Sequence, residues 1–136
     1  MDGTDRPAVF LDTNVLLYAI SADEVKAAKA EDLVARGGTV SVQVLDEFAR
    51  IGLQKYGIGM ARVRMGLAAI RGLCDVRPVD VETHELGLDL VARYRFALFD
   101  AMIVAAAIRS GCATLYSEDM QSGRKIGGLT IRNPFA

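Results

Sequence analysis

Residues 8–20 read Ala-Val-Phe-Leu-Asp-Thr-Asn-Val-Leu-Leu-Tyr-Ala-Ile, and this segment decides the fold class. The apolar residues Ala8–Leu11 are typical of a short buried strand. The polar cluster Asp12–Asn14 can end a strand and cap a helix, and apolar residues resume over Val15–Ile20. The segment therefore predicts a buried strand that passes directly into a helix, with a carboxylate at the junction.

The same alternation of strands and helices continues along the chain. The predicted strands are Ala8–Leu11, Thr39–Val40, Cys74–Pro78, Ala113–Ser117 and Leu129–Arg132. The predicted helices are Val15–Ile20, Asp23–Arg36, Val42–Tyr56, Met60–Leu73, Val81–Tyr94 and Phe99–Ser110. This alternation favours an α/β fold, a three-layer α/β/α arrangement with a mostly parallel central sheet of about five strands.

Length and composition indicate one globular unit. The 136 residues contain no linker or internal repeat, so we predict a single domain over residues 1–136. A formal charge of −1 argues against binding of nucleic acid through overall positive charge. The apolar stretch Phe96–Ile108 is shorter than the roughly 18 residues of a membrane span, and the N-terminal segment lacks the parts of a secretory signal. We therefore expect a cytoplasmic protein outside the membrane.

The two cysteines, Cys74 and Cys112, stand far apart in the sequence and have no histidine cluster beside them. This spacing is not that of a disulfide framework or of a zinc site. We expect both thiols to be buried and reduced.

Acidic residues stand directly after two of the predicted strands. Asp12 follows the first strand, and Glu118 and Asp119 follow the fourth. The carboxyl ends of parallel strands lie at one edge of the sheet, where ligands bind in this class of fold. We therefore expect carboxylates from two strand ends to meet at that edge.

Two further acids, Glu47 and Asp100, fall on apolar helix stripes and are expected to face inward. Asp46 is instead expected on a solvated face, in a weak ion pair with Arg50. A buried carboxylate is costly unless it is paired, hydrogen-bonded or bound to metal. We expect that no lysine or arginine at helical spacing neutralises Glu47 or Asp100.

One divalent cation would account for Asp12, Glu47, Asp100 and Asp119 together. Separate explanations are the alternative: Asp12 and Asp100 could cap helices, Glu47 could pair with a distant arginine, and Asp119 could occupy a turn. The shared site explains all four acids by one cause. Oxygen ligands favour Mg²⁺ or Mn²⁺, which can hold a phosphate and activate a water to attack it.

Uncharged polar residues stand beside these acids. Thr13, Asn14 and Ser117 are suited to orienting a carboxylate or the attacking water. They could equally be turn residues, so both interpretations of these three side chains stay open.

Four segments and the tail of the chain match a known set of motifs. They are Phe10–Ala19, Ser41–Phe48, Phe99–Ala107, Leu115–Gln121 and the tail Ile126–Phe135. Together they resemble PIN-domain ribonucleases of the VapC toxin type, over nearly the whole chain and in the family's order. The resemblance selects Asp119 over Glu118, so that the family's acidic quartet falls on Asp12, Glu47, Asp100 and Asp119. Phe99 departs from the pattern, since many relatives have tryptophan there.

The resemblance implies a PIN-like fold and an endoribonuclease that depends on Mg²⁺ or Mn²⁺. It assigns Asp12, Asp100 and Asp119 to the metal, and Glu47 to the metal or to the attacking water. The implied partners are an RNA substrate such as tRNA, a small cognate antitoxin and a second copy in a homodimer. Four arginines of the middle region become candidates for contact with the RNA backbone, although charged helix residues are more often only solvated. They are Arg50, Arg62, Arg64 and Arg71.

Two other function classes are compatible with parts of the pattern. A PIN-fold regulatory subunit that binds protein and has little nuclease activity would carry the same motifs. A phosphoacceptor signalling domain fits poorly, because Asp12 stands alone after its strand and Lys125, the only late lysine, lies in a glycine-rich turn.

Overall fold

The computed structural model describes residues 8–136, in which strands and helices alternate. The strands are β1 (Val9–Leu11), β2 (Thr39–Ser41), β3 (Asp75–Arg77), β4 (Thr114–Tyr116), β5 (Lys125–Ile126) and β6 (Leu129–Arg132). The helices are α1 (Thr13–Tyr18), α2 (Glu24–Ala35), α3 (Val42–Gln54), α4 (Met60–Leu73), α5 (Val81–Tyr94) and α6 (Leu98–Arg109). Residues 1–7 lie outside the described residues. They belong to the predicted single domain and to the N-terminal segment that was expected to lack a secretory signal.

The strands form one sheet in the order β3-β2-β1-β4-β6-β5. Strand β5 runs antiparallel to β6, and every other neighbouring pair is parallel. The predicted α/β fold with a mostly parallel sheet is therefore confirmed, with one strand more than predicted. The extra strand is Lys125–Ile126, which turns into β6 at Gly127-Gly128, where Gly127 has a φ of 59°.

Helices pack in two groups. Helices α1 to α4 contact one another in a chain of neighbours, while α5 and α6 form the most extensive helix pair. Helix α6 also contacts β2 and β4, and its residues Ala101–Ala107 are all buried. It therefore lies between the sheet and α5, as expected for a helix that is apolar on every side.

The strand order reverses at β1. From β1 the chain adds β2 and then β3 on one side, and later adds β4 and β6 on the other. In open parallel sheets such a reversal leaves a crevice at the carboxyl ends of the two central strands. Leu11 pairs in register with Tyr116, so the residues that follow β1 and β4 emerge side by side. They are Asp12 and Ser117.

The bounds of the predicted elements agree with the observed ones within two residues. Helix α1 starts at Thr13 because the Asp12 carboxylate accepts a hydrogen bond from the Thr13 N–H. In α5 the cap is Asp80. Cys74 and Cys112 are buried and free, as predicted. Within residues 8–136, no helix has the length and apolar character needed to cross a membrane.

We expect Gly37→Ala to lower the free energy of unfolding by about 1–2 kcal/mol. Gly37 follows α2 with a φ of 79°, and an added Cβ would lie 3.2 Å from the Leu73 carbonyl oxygen. The matched control is Gly72→Ala, inside α4 with no atom within 4 Å of the added Cβ. It should raise that free energy by roughly 0.5 kcal/mol. Urea denaturation measures both; equal effects at the two sites would contradict the described turn.

Candidate active site

Asp12 connects the ends of the two central strands. Its N–H donates to the Tyr116 carbonyl at 3.0 Å. One carboxylate oxygen accepts from the Thr13 N–H at 2.7 Å, and the other accepts from the Ser117 hydroxyl at 2.8 Å and from the Asn14 side-chain amide at 3.4 Å. Asp12 is only 6% exposed. It therefore caps α1 and at the same time holds a buried carboxylate in a set orientation.

Burial has a large electrostatic effect on this carboxylate. The pKa of Asp12 is raised to about 6, chiefly by removal from water and in smaller part by the negative charges of Glu47 and Asp100. The hydrogen bonds from Ser117 and Thr13 oppose this shift but do not cancel it. Asp12 is thus a carboxylate whose charged form would be stabilised by a cation.

All four predicted acids line one open cleft of about 400 Å³ at the carboxyl ends of β1 and β4. Glu47 comes from α3, is half-buried and accepts a hydrogen bond from the Thr13 hydroxyl at 3.4 Å. Asp100 is half-buried in the first turn of α6, and Asp119 is exposed after β4. The topology therefore brings together side chains that are far apart in sequence.

Burial raises the pKa of Glu47, and the nearby Asp100 charge adds to this effect. Hydrogen bonds from Thr13 and Gln43 lower the Glu47 pKa, and so does the charge of Arg50. The expectation that no basic residue at helical spacing would act on Glu47 is therefore wrong, because Arg50 lies three residues further along α3. Arg50 offsets part of the cost of the buried charge.

The assignment of helix faces on α3 is correct, but one predicted contact is absent. Asp46 is exposed while its neighbour Glu47 turns into the cleft. Among residues 8–136, no ion pair forms between Asp46 and Arg50. The expected surface pair is therefore wrong, and the Arg50 charge acts on Glu47 instead.

Asp100 has no capping role. The N-cap of α6 is Ala97, and no side chain caps this helix, so the capping explanation of Asp100 is wrong. Burial raises the pKa of Asp100, and the charge of Asp119 raises it as well. The two carboxylates therefore repel each other across the cleft.

Glu118 is engaged elsewhere. The Lys26 ammonium lies 2.7 Å from one carboxylate oxygen of Glu118, and the Tyr18 hydroxyl donates to the other. These contacts lower the pKa of Glu118, and the hydrogen bond from Lys26 has the largest effect. Asp119 forms no ion pair within residues 8–136. Of the two adjacent acids, Asp119 is the one left available for a ligand.

Polar neighbours connect these acids. Asn14 donates to Asp12 and accepts from the Glu118 N–H at 3.2 Å, so that it joins α1 to the turn after β4. Thr13 and Asn14 line the cleft, and the fully buried Ser117 lies behind Asp12. Each of these three residues hydrogen-bonds to an acid of the cleft.

The four arginines considered for RNA contact are all exposed and lie outside the lining of the acidic cleft. Arg50 borders a neighbouring depression with Glu47 and Phe99. The other three lie on α4; they are Arg62, Arg64 and Arg71. Phe99 is 68% exposed, so its departure from the family pattern falls on the surface.

Two residues that line the cleft were not predicted from the sequence. Lys55 and Tyr56 line the cleft from the C-terminal end of α3. A signal for Lys55 was present, because Glu47, Ile51 and Lys55 recur at intervals of four and share a helix face. Lys26 and Glu118 carried no such signal, since their pairing spans distant parts of the chain.

The donor set of the cleft suits a hard cation. Its acidic side chains offer only oxygen ligands, which Mg²⁺ and Mn²⁺ prefer. Within residues 8–136, no three acidic, histidine or cysteine side chains converge closely enough to enclose a bare ion. Mg²⁺ usually keeps several waters and binds through one or two carboxylates plus substrate phosphates. The open cleft therefore fits a hydrated ion better than a closed protein cage.

We expect Asp100→Asn to raise the free energy of unfolding at about pH 7 without divalent metal. A raised pKa means that the folded chain binds the proton more tightly than the unfolded chain does, so ionisation of Asp100 lowers stability as the pH rises. The gain should shrink as the pH falls through the raised pKa of the folded chain. It should vanish below the ordinary carboxyl pKa of about 4, where the group is protonated in both the folded and the unfolded chain. Asp46→Asn, on the exposed face of α3, is the control and should change little. Loss of stability in Asp100→Asn at neutral pH would contradict this electrostatic account.

Comparisons with known proteins agree with this architecture. The family model of the PIN domain matches residues 9–125. Similar solved structures include a toxin-antitoxin complex from Klebsiella pneumoniae, 22% identical, with a TM-score of 0.71 over 93% of this chain and 98% of that chain. VapC20 of Mycobacterium tuberculosis, a sarcin-ricin loop cleaving toxin, is 22% identical with a TM-score of 0.67 over 82% and 90% of the two chains.

A third similar structure is VapBC2 from Rickettsia felis bound to a DNA fragment from their promoter. It is 19% identical with a TM-score of 0.69, over 93% of this chain and 98% of that chain. A comparison with curated protein sequences finds no match. Because the family model covers most of the chain, this chain belongs to the PIN domain family.

Proposed function

We propose that this PIN domain is a metal-dependent endoribonuclease and the toxin of a toxin–antitoxin module. One observation carries the proposal: Asp12, Glu47, Asp100 and Asp119 line a single cleft at the carboxyl ends of the central strands. Burial raises the pKa of the first three of these acids. A divalent cation would stabilise their charged forms and would also bind the phosphate of a nucleic acid.

Mg²⁺ or Mn²⁺, when bound, would polarise the phosphate and lower the pKa of a water. Asp12, Asp100 and Asp119 would hold the cation. Asp12 is pre-oriented for this role by the hydroxyl of Ser117 and the amide of Asn14. Its fixed rotamer limits the reorganisation needed on binding.

Glu47 is the group best placed to orient the attacking water or to accept its proton. It lies on a different wall of the cleft from the strand-end acids and is oriented by the Thr13 hydroxyl. Burial raises the pKa of Glu47, which brings a carboxylate closer to the range of a useful general base. Attack in line with the leaving oxygen would then hydrolyse the phosphodiester bond.

The similar structures support the choice of substrate and partner. One is described as a toxin–antitoxin complex, one as VapBC2 bound to a fragment of promoter DNA and one as a toxin that cleaves the sarcin-ricin loop. We infer by this likeness a structured RNA substrate, such as tRNA or ribosomal RNA, and a small cognate antitoxin. A homodimer and a cytoplasmic location also belong to the proposal.

We expect the purified chain, free of antitoxin, to cut total cellular RNA into discrete fragments when Mn²⁺ is present. Asp100→Asn and Glu47→Gln should each lower the cleavage rate by at least about 100-fold, because each removes a group that holds the cation or the water. Asp46→Asn is the matched control beside Glu47 and should cleave at nearly the parental rate. Metal binding without any cleavage would instead favour the regulatory, protein-binding alternative.

We also expect Mn²⁺ to raise the melting temperature of the chain. A ligand that binds only the folded state stabilises it by mass action, by about 2.7 kcal/mol at a concentration 100 times the Kd. Ca²⁺ should have a smaller effect, since it prefers more ligands than this open cleft offers. The shift should be lost in Asp100→Asn. An unchanged melting temperature at millimolar Mn²⁺ would contradict a metal site.

A further inference from the structure

We propose that Lys55 and Tyr56 form a subsite for an unpaired nucleotide of a single-stranded RNA segment that lies beside the acidic cleft. Lys55 would bind a phosphate, and the Tyr56 ring would stack on a base. The proposal rests on the proposed ribonuclease function and deepens it by naming two residues of this chain that would bind the RNA strand beside the acids.

Lys55 is the one basic residue among the lining residues of the cleft in the described chain. Its ammonium group makes no ion pair with any residue in the range 8–136. Lys26, by contrast, is close to the cleft but is bound by Glu118. A cleft lined by carboxylates repels an RNA strand, so an uncommitted cation on its wall provides a needed contact for phosphate.

The helix sets the distance between this cation and the acids. Lys55 lies eight residues after Glu47 on the same face of α3. At a rise of 1.5 Å per residue, this places the two Cα atoms about 12 Å apart along the helix axis. Lys55 is therefore anchored about two helical turns beyond Glu47 on the wall of the cleft. It is placed to bind a neighbouring phosphate of the same strand.

Tyr56 provides a free aromatic face. Its side chain is 42% exposed, and within residues 8–136 its ring packs against no other aromatic ring or cation. Tyr18, the other aromatic residue of the cleft, packs against Phe135 and contacts Lys26. The Tyr56 ring is thus the one available for stacking on a base.

Backbone hydrogen bonds order the segment that carries the two side chains. The N–H groups of Lys55 and Tyr56 both donate to the Ile51 carbonyl, at 2.8 and 3.2 Å. The Ile58 N–H donates to the Gly52 carbonyl at 3.1 Å, which folds the following turn back onto α3. The subsite therefore belongs to the end of a helix, and less ordering is needed when RNA binds.

An unpaired base is the ligand that matches this chemistry. Bases inside a duplex are stacked and paired, and proteins bind them from aromatic side chains when they lie in loops, bulges or single strands. Stacking on an aromatic ring contributes about 1–3 kcal/mol per base and tolerates any base. We therefore infer that the segment bound here is single-stranded, whatever the fold of the rest of the RNA.

The test measures RNA binding with the full chain carrying Asp100→Asn, so that cleavage does not interfere. Fluorescence anisotropy would follow a labelled single-stranded oligonucleotide over a range of salt concentrations. Lys55→Met should weaken binding and reduce the slope of log K against log salt by about 0.7, the value for one phosphate contact on a single strand. Lys55→Arg should leave the affinity and the salt slope unchanged. Lys29→Met, at an exposed position on α2, is the control and should also change neither.

The second arm tests stacking with oligonucleotides that carry an abasic site at successive positions. At one position the abasic site should weaken binding by the Asp100→Asn chain by about 5- to 150-fold, the range that corresponds to one stacked base. When the chain also carries Tyr56→Leu, the abasic site at that position should not weaken binding further. When it carries Tyr56→Phe instead, the abasic site should weaken binding as much as before. A blunt-ended RNA duplex with all bases paired should bind more weakly than the single strand.

Some outcomes would overturn the subsite. An unchanged salt slope in Lys55→Met, with only lower stability, would mean that Lys55 merely complements the C-terminal dipole of α3. Full abasic sensitivity in Tyr56→Leu would equally overturn it. Metal-dependent cleavage that is indifferent to both residues would contradict the subsite and leave the ribonuclease intact. RNA binding that depends on both residues, in a chain that never cleaves, would contradict the ribonuclease alone.

Discussion

The cost of burying the Asp12 carboxylate is the constraint on which the rest of the site depends. Asp12 emerges at the point where the strand order reverses, and its hydrogen bond with Ser117 joins the ends of β1 and β4. Its pKa is raised to about 6 despite this hydrogen bond, chiefly by removal from water. The charges of Glu47 and Asp100, which face the same cleft, contribute a smaller part of this increase. The fold holds these acids together in spite of the cost.

The clustered carboxylates lower the stability of the folded chain but favour the binding of a cation. Like charges that are held close together lower the stability of the folded chain, and proteins commonly accept such a cost at functional sites. Lys26 neutralises Glu118 and Arg50 moderates Glu47, whereas Asp100 and Asp119 repel each other. The described structure therefore leaves negative charge in a cleft that is open to solvent, as a site for a divalent cation and a phosphate requires.

Local patterns predicted most of the fold and three of the acids that line the cleft, whereas the choice of Asp119 over Glu118 came from the family resemblance. Alternating apolar segments identified the strands and helices, and inward helix stripes identified Glu47 and Asp100. The two-residue strand β5 was not predicted, because it is too short to show the alternation of apolar and polar residues that marks a strand. The Lys26–Glu118 ion pair was not predicted, because tertiary folding brings these distant residues together. The effect of Arg50 on the pKa of Glu47 was also not predicted, although the spacing of three residues is visible in the sequence. Whether the acids bind metal depends on distances that no periodicity contains.

The most direct test of the account is the location of Mn²⁺ in a crystal of the full chain. Data collected at the manganese absorption edge would place the ion by its anomalous signal. The account predicts a peak within coordination distance of Asp12 and of Asp100 or Asp119, with the remaining ligands supplied by water. A cleft without a peak at saturating Mn²⁺, or a peak only at other carboxylates, would contradict the claim that these acids form a metal-dependent active site.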